Sequence, residues 1–106
     1  MKHITTDTFK EEVLDYKGVV LVDFYADWCG PCRILGPMLE EIDAENKDTN
    51  IKLVKLNVDD NQLTAMEYNV MSIPTVIIFK NGKVFDQKIG VQPKSVYTGV
   101  LQYAKG

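Results

Sequence analysis

At 106 residues the chain is the size of one domain, expected to span 1–106, and can bury a real core without covalent help. Hydrophobic residues make up 45% and charged residues 25%, ordinary for a globular protein, and a formal net charge of −3 leaves no basic stripe for nucleic acid. No apolar run approaches membrane-spanning length and Met1-Lys2-His3-Ile4-Thr5 lacks signal-peptide character, so the cytoplasm and a monomer are the default expectations.

Phe9, Val13 and Tyr16 recur at i, i+4 and i+7 behind Thr6 or Asp7 as a cap, which predicts a first helix over about 7–16. The run Val19–Ala26 reads as a buried strand. After Pro31, the positions Leu35, Met38, Leu39 and Ile42 predict a second helix reaching about Asn46. Gly36-Pro37 lies inside that periodicity and reads as a kink, since the apolar spacing continues through it. Ile51–Val58 is a second strand, and the helical crossover makes a right-handed unit with parallel pairing. A third helix, about Gln62–Asn69, carries Leu63 and Met66, with Val70 just beyond.

Thr75–Lys80 and Lys83–Ile89 flank Asn81-Gly82, the strongest short-range hairpin signal. Pro93 opens a last helix with the stripe Tyr97, Val100, Leu101 and Ala104. The element order βαβαβαββα indicates an α/β protein: a mixed sheet with helices on both faces and one antiparallel hairpin. Glu11, Glu12, Glu40, Glu41, Asp43 and Glu45 fall on predicted helix faces and read as solvated surface.

The only two cysteines stand three positions apart in Trp28-Cys29-Gly30-Pro31-Cys32, where strand gives way to helix. Residues i and i+3 of a helix lie about 5–6 Å apart, close to what a disulfide requires, so the pair can open and close with little backbone movement. Pro31 suits a first helical turn, and Gly30 lets another backbone come near. A helix N-terminus stabilises a thiolate, an effect assigned to Cys29 at the entrance; Cys32, a turn inside, should be the more buried. A purely structural staple is a weak rival, because closing so short a loop restricts the unfolded chain by only about 2 kcal/mol. Zinc is another, but His3 is the only other soft ligand, so no metal site is expected.

Asp23 interrupts an apolar strand, and burial of an unpaired carboxylate raises its pKa. A carboxyl group exchanging protons near neutral pH, six residues before Cys29, is a candidate proton shuttle for Cys32. Lys55 on the neighbouring strand is a candidate partner that would moderate the shift. At Ile73-Pro74 the residues alone indicate a trans bond, since cis occurs in only about 5–6% of such pairs. Trp28, the lone tryptophan, is open to a core role or an exposed contact role.

Val22-Asp23-Phe24-Tyr25-Ala26-Asp27-Trp28-Cys29-Gly30-Pro31-Cys32-Arg33, Pro37, Lys55-Leu56-Asn57-Val58-Asp59, Ile73-Pro74-Thr75, Asn81-Gly82 and Gly90 occur in the order seen in the thioredoxin family, which the chain resembles over essentially all 106 residues. The resemblance implies the thioredoxin fold, a central mixed sheet flanked by four helices, and a cis bond at Ile73–Pro74 facing the cysteines. It implies a thiol–disulfide oxidoreductase that reduces partner-protein disulfides through a reversible Cys29–Cys32 disulfide and serves redox homeostasis. Cys29 would be the exposed nucleophile and Cys32 the resolving thiol, with Asp23 assisting and Gly30 and Pro31 tuning the potential toward reduction. Trp28, Ile73, Pro74, Gly90 and Val91 would form the substrate groove. Re-reduction would fall to a flavin-containing thioredoxin reductase drawing on NADPH, with no cofactor resident in the chain.

Tyr25 and Ser72 depart from relatives that carry Trp and Gly there, which bears on substrate preference alone. The competing readings are an oxidant or isomerase of a secreted compartment, disfavoured by the Gly-Pro between the cysteines, and a redox-inert binding scaffold, disfavoured by the presence of both cysteines with Asp23.

Overall fold

The computed structural model describes residues 1–106. Strands β1 (Lys2–His3), β2 (Val19–Tyr25), β3 (Ile51–Asn57), β4 (Thr75–Lys80) and β5 (Lys83–Ile89) form one sheet in the order β1-β3-β2-β4-β5. A short π-helix (Lys10–Leu14) and helices α1 (Gly30–Glu45), α2 (Gln62–Glu67) and α3 (Lys94–Lys105) complete the chain. β1, β3 and β2 run parallel, whereas β4 is antiparallel to both β2 and β5.

β2 occupies the centre because its residues are apolar on both faces, as a strand covered on both sides requires. Alternation divides its side chains between two layers. Val19 and Leu21 pack with Leu35, Leu39 and Ile42 of α1 and with Tyr97, Leu101 and Ala104 of α3. Val20, Val22 and Phe24 face the opposite layer, with Phe9, Val13, Ile77 and Phe79. The same alternation sends Asp23 toward the α1–α3 side. Asn81 and Gly82 both adopt positive φ (51° and 80°), the backbone that a tight two-residue hairpin demands.

The sequence reading assigns no residues to the opening strand, which lies at Lys2–His3. The first helix is a π-helix over Lys10–Leu14 rather than a longer α-helix; Asp15 N–H donates to the Lys10 carbonyl five residues back. Its entry is tied by hydrogen bonds between Thr5 and Thr8, not by Thr6 or Asp7 as caps. The third helix stops at Glu67, and its apolar stripe is inverted: Leu63 and Met66 face solvent while Thr64 and Ala65 are buried. One short turn meets the sheet through small residues and Thr64, whose hydroxyl donates to Thr6 Oγ1 at 2.9 Å. α1 runs unbroken through Pro37.

Candidate active site

β2 ends at Tyr25, and four residues later the chain enters α1 with Cys29 at the N-cap and Pro31 in the first turn. Cys29 and Cys32 form a disulfide with their Cα atoms 5.2 Å apart. The Cys32 backbone N–H, an orphan donor of the helix start, donates to Cys29 Sγ at 3.2 Å. A negative charge on that sulfur would therefore meet both a backbone donor and the positive end of the helix dipole.

The expected difference in exposure is absent. Cys29 is 3% exposed and Cys32 6%, and Cys29 Sγ lies 3.9 Å from the Ile73 carbonyl oxygen. The asymmetry between the two sulfurs lies in hydrogen bonding: Cys29 Sγ holds the helix N–H.

Three other segments surround the disulfide. The Ile73–Pro74 bond is cis, against the bias of the residues alone and in line with the resemblance. Gly90, at φ +78°, donates its N–H to the Pro74 carbonyl at 2.8 Å, which brings Gly90-Val91 alongside Pro74. Trp28 takes the exposed alternative, 68% open to solvent, and its Nε1–H donates to Asp59 Oδ2 at 2.8 Å. Asp59 lies in a segment that the sequence marks, but nothing there gives it this task, since the pairing spans 31 residues. Met71, almost fully exposed, extends the apolar rim beside Ile73.

Asp23 is 2% exposed, and its Oδ1 has no hydrogen-bond partner. Burial pushes its carboxyl up to about 7, while the Lys55 charge draws it down and the Glu40 charge pushes it further up. The register sets Lys55 directly opposite Asp23. The ion pair that Lys55 makes is nevertheless with Glu40, Nζ to Oε2 at 3.7 Å, so Lys55 moderates Asp23 without bonding to it. The Lys55 ammonium also lies 4.8 Å from the centre of the Tyr25 ring.

Tyr25, Cys32, Arg33, Gly36, Glu40 and Lys55 are among the residues lining a cleft of about 640 Å³ behind the disulfide. Glu40 is absent from any site reading of the sequence, where it belongs to an acidic helix face. No group of three or more His, Cys, Asp or Glu side chains is placed to hold a metal ion, and no helix is long and apolar enough to cross a membrane.

The family model described as thioredoxin matches residues 1–102. The chain is 48% identical to a thioredoxin of Pyropia yezoensis over 101 residues, covering 95% of this chain and 94% of that one. It is 46% identical to a thioredoxin of Rickettsia prowazekii over 95 residues, 90% of each chain. It is likewise 46% identical to thioredoxin 1 of a Nostoc species over 99 residues, 93% of this chain and 92% of the relative.

Proposed function

The chain belongs to the thioredoxin family and is a protein-disulfide reductase with a redox-active cysteine pair, and we propose the following division of labour among its residues. In the reduced protein, the Cys29 thiolate attacks one sulfur of a disulfide in a partner protein. A mixed disulfide forms and the partner's other sulfur leaves as a thiolate, which takes up a proton. Asp23 accepts the proton of Cys32, directly or through water in the cleft. The resulting Cys32 thiolate attacks Cys29 Sγ, releases the second partner thiol and closes the Cys29–Cys32 disulfide. Two electrons have then passed to the partner.

The single observation carrying this assignment is the Cys32 N–H bonded to Cys29 Sγ at the start of α1, which supports Cys29 as the sulfur that ionises. Gly30 and Pro31 tune the potential by shaping that turn. Trp28, Ile73, Pro74, Gly90 and Val91 receive the partner's backbone and apolar side chains beside the attacked bond. Asp23 and Lys55 serve the second step, supported by a carboxyl titrating near 7 on the same face of the sheet as α1.

Disulfide-containing proteins are the substrates, and a thioredoxin reductase restores the dithiol. We further propose that this reductase carries a flavin and draws on NADPH, and that the chain works in the cytoplasm as a monomeric single domain, 1–106. Incubating Cys32→Ser with oxidised insulin tests the roles. A covalent adduct through Cys29 is expected, whereas Cys29→Ser should form none. Adduct formation by Cys29→Ser alone would reverse the assignment.

A further inference from the structure

Asp23 and Lys55 stand directly across from each other on adjacent parallel strands, which lie about 4.8 Å apart. A buried carboxylate with an unpartnered oxygen would ordinarily capture such a lysine. It does not. The Lys55 ammonium rests instead between Glu40, 3.7 Å away, and the face of Tyr25, 4.8 Å from the ring centre.

The placement follows from α1. Cys32, Gly36 and Glu40 are spaced by four, so they form one line along the helix. Gly36 has no side chain, and a Cβ built there would meet nothing within 4 Å. The stretch between Cys32 and Glu40 therefore carries no side chain, and Cys32, Gly36 and Glu40 line one cleft with Lys55 of the sheet. Asp23, buried, is the register partner of that lysine on the neighbouring strand.

We infer that Glu40 is a positioning residue for the resolving step: with the Tyr25 ring, it holds the Lys55 ammonium in the cleft and off the Asp23 carboxylate, which keeps Asp23 free to serve Cys32 as a base. The inference rests on the assignment of Asp23 to that step. Without Glu40, Lys55 would swing onto Asp23, favour its ionised form and make it a weaker base. Loss of the Glu40 charge would act on Asp23 in the same direction, since its charge holds the Asp23 carboxyl up.

Other groups face this pair. Tyr97 of α3 feels the Asp23 charge, and its hydroxyl accepts the Gln92 N–H at 3.0 Å. The Tyr25 hydroxyl is 3.3 Å from His3 Nδ1, and His3 is paired in register with Lys55. Asp27 and Asp60 act on the Tyr25 hydroxyl. The Met1 amine contacts Glu40 at 2.6 Å and Asp43 at 3.5 Å.

The test is a carbon-detected NMR titration of the Asp23 carboxyl in the oxidised protein, run beside the pH profile of insulin reduction. In Glu40→Gln the Asp23 midpoint should fall by about one pH unit, as expected when a cation closes on a carboxylate. The acid limb of the activity profile should move with it. Asp43→Asn, which alters the other partner of the Met1 amine, should leave the midpoint unchanged. In an Asp23→Asn background, Glu40→Gln should shift nothing further. An unchanged or raised Asp23 midpoint in Glu40→Gln overturns the role of Glu40 while leaving Asp23 in place. A midpoint that falls while the activity profile stays still overturns Asp23 as the base instead.

Discussion

The two layers on either side of the sheet draw on the same strands but treat polar groups differently. In the layer against the π-helix, Val20, Val22, Phe24, Val54, Leu56, Ile77 and Phe79 close a carbon interior. The polar groups at its margin are paired: Thr64 with Thr6, and Asn61 with the Asn57 carbonyl at 3.0 Å. The layer under α1 and α3 also buries an apolar cluster, yet contains Asp23 with an unpartnered oxygen. One layer thus maximises stability, while the other gives some up to hold a titratable group behind the cysteines.

Substitutions in the two layers should therefore move stability and activity in different patterns. The largest loss of stability is expected from Phe79→Ala in the carbon layer. Phe79 is 1% exposed and packs its ring against Phe9 and Tyr68, with centroids 5.7 and 5.3 Å away. Denaturant unfolding should show a loss of about 3–5 kcal/mol. Insulin reduction per folded molecule should stay unchanged; a loss of activity at full folding would break the separation between the layers.

Asp23→Asn should do the opposite. A carboxyl at about 7 in the folded protein, against an ordinary 3.8, is favoured in its protonated form by folding. Its cost is absent below about pH 4, grows between about pH 4 and 7, and is constant above. Three pH units correspond to about 4 kcal/mol. The stability of the native chain relative to Asp23→Asn should accordingly fall by about that amount between pH 4 and pH 8, while reductase turnover near pH 7 slows. A pH-independent difference would mean that Asp23 is not the strained group of its layer.

Smaller effects belong outside both layers. Asp59→Ala removes the acceptor that orients Trp28, and a hydrogen bond contributing about 1 kcal/mol implies at most about a five-fold fall in kcat/KM for protein substrates. Stability should not change with it. Lys94 pairs with Glu41 and Glu45 on the surface, so Lys94→Ala should alter stability by less than about 1 kcal/mol and leave activity intact.

The strands that feed both layers were the easiest elements to read in the amino-acid sequence. Val19–Val22 and Thr75–Phe79 announce buried strands, and Asn81-Gly82 announces the hairpin, because local chemistry dictates each. The cysteine pair and Asp23 stood out for the same reason, as residues breaking a local pattern. Glu40 could not be read that way: among Glu41, Asp43 and Glu45 it is one more acid on a helix, and only the packing of α1 over β3 brings it to Lys55. Leu63 and Met66 misled in the reverse sense, since periodicity over so short a turn does not determine which side meets the sheet. The cis geometry at Pro74 is likewise invisible to local preference.

The account turns on one sulfur being favoured as an anion by the start of α1 while its neighbour is held back. Iodoacetamide labelling of the reduced protein across pH, with each cysteine followed by peptide mapping, tests this most directly. Cys29 should react first, with a midpoint below the usual thiol value of about 8.5, and Cys32 should lag throughout. Equal rates at every pH, or faster labelling of Cys32, would contradict it.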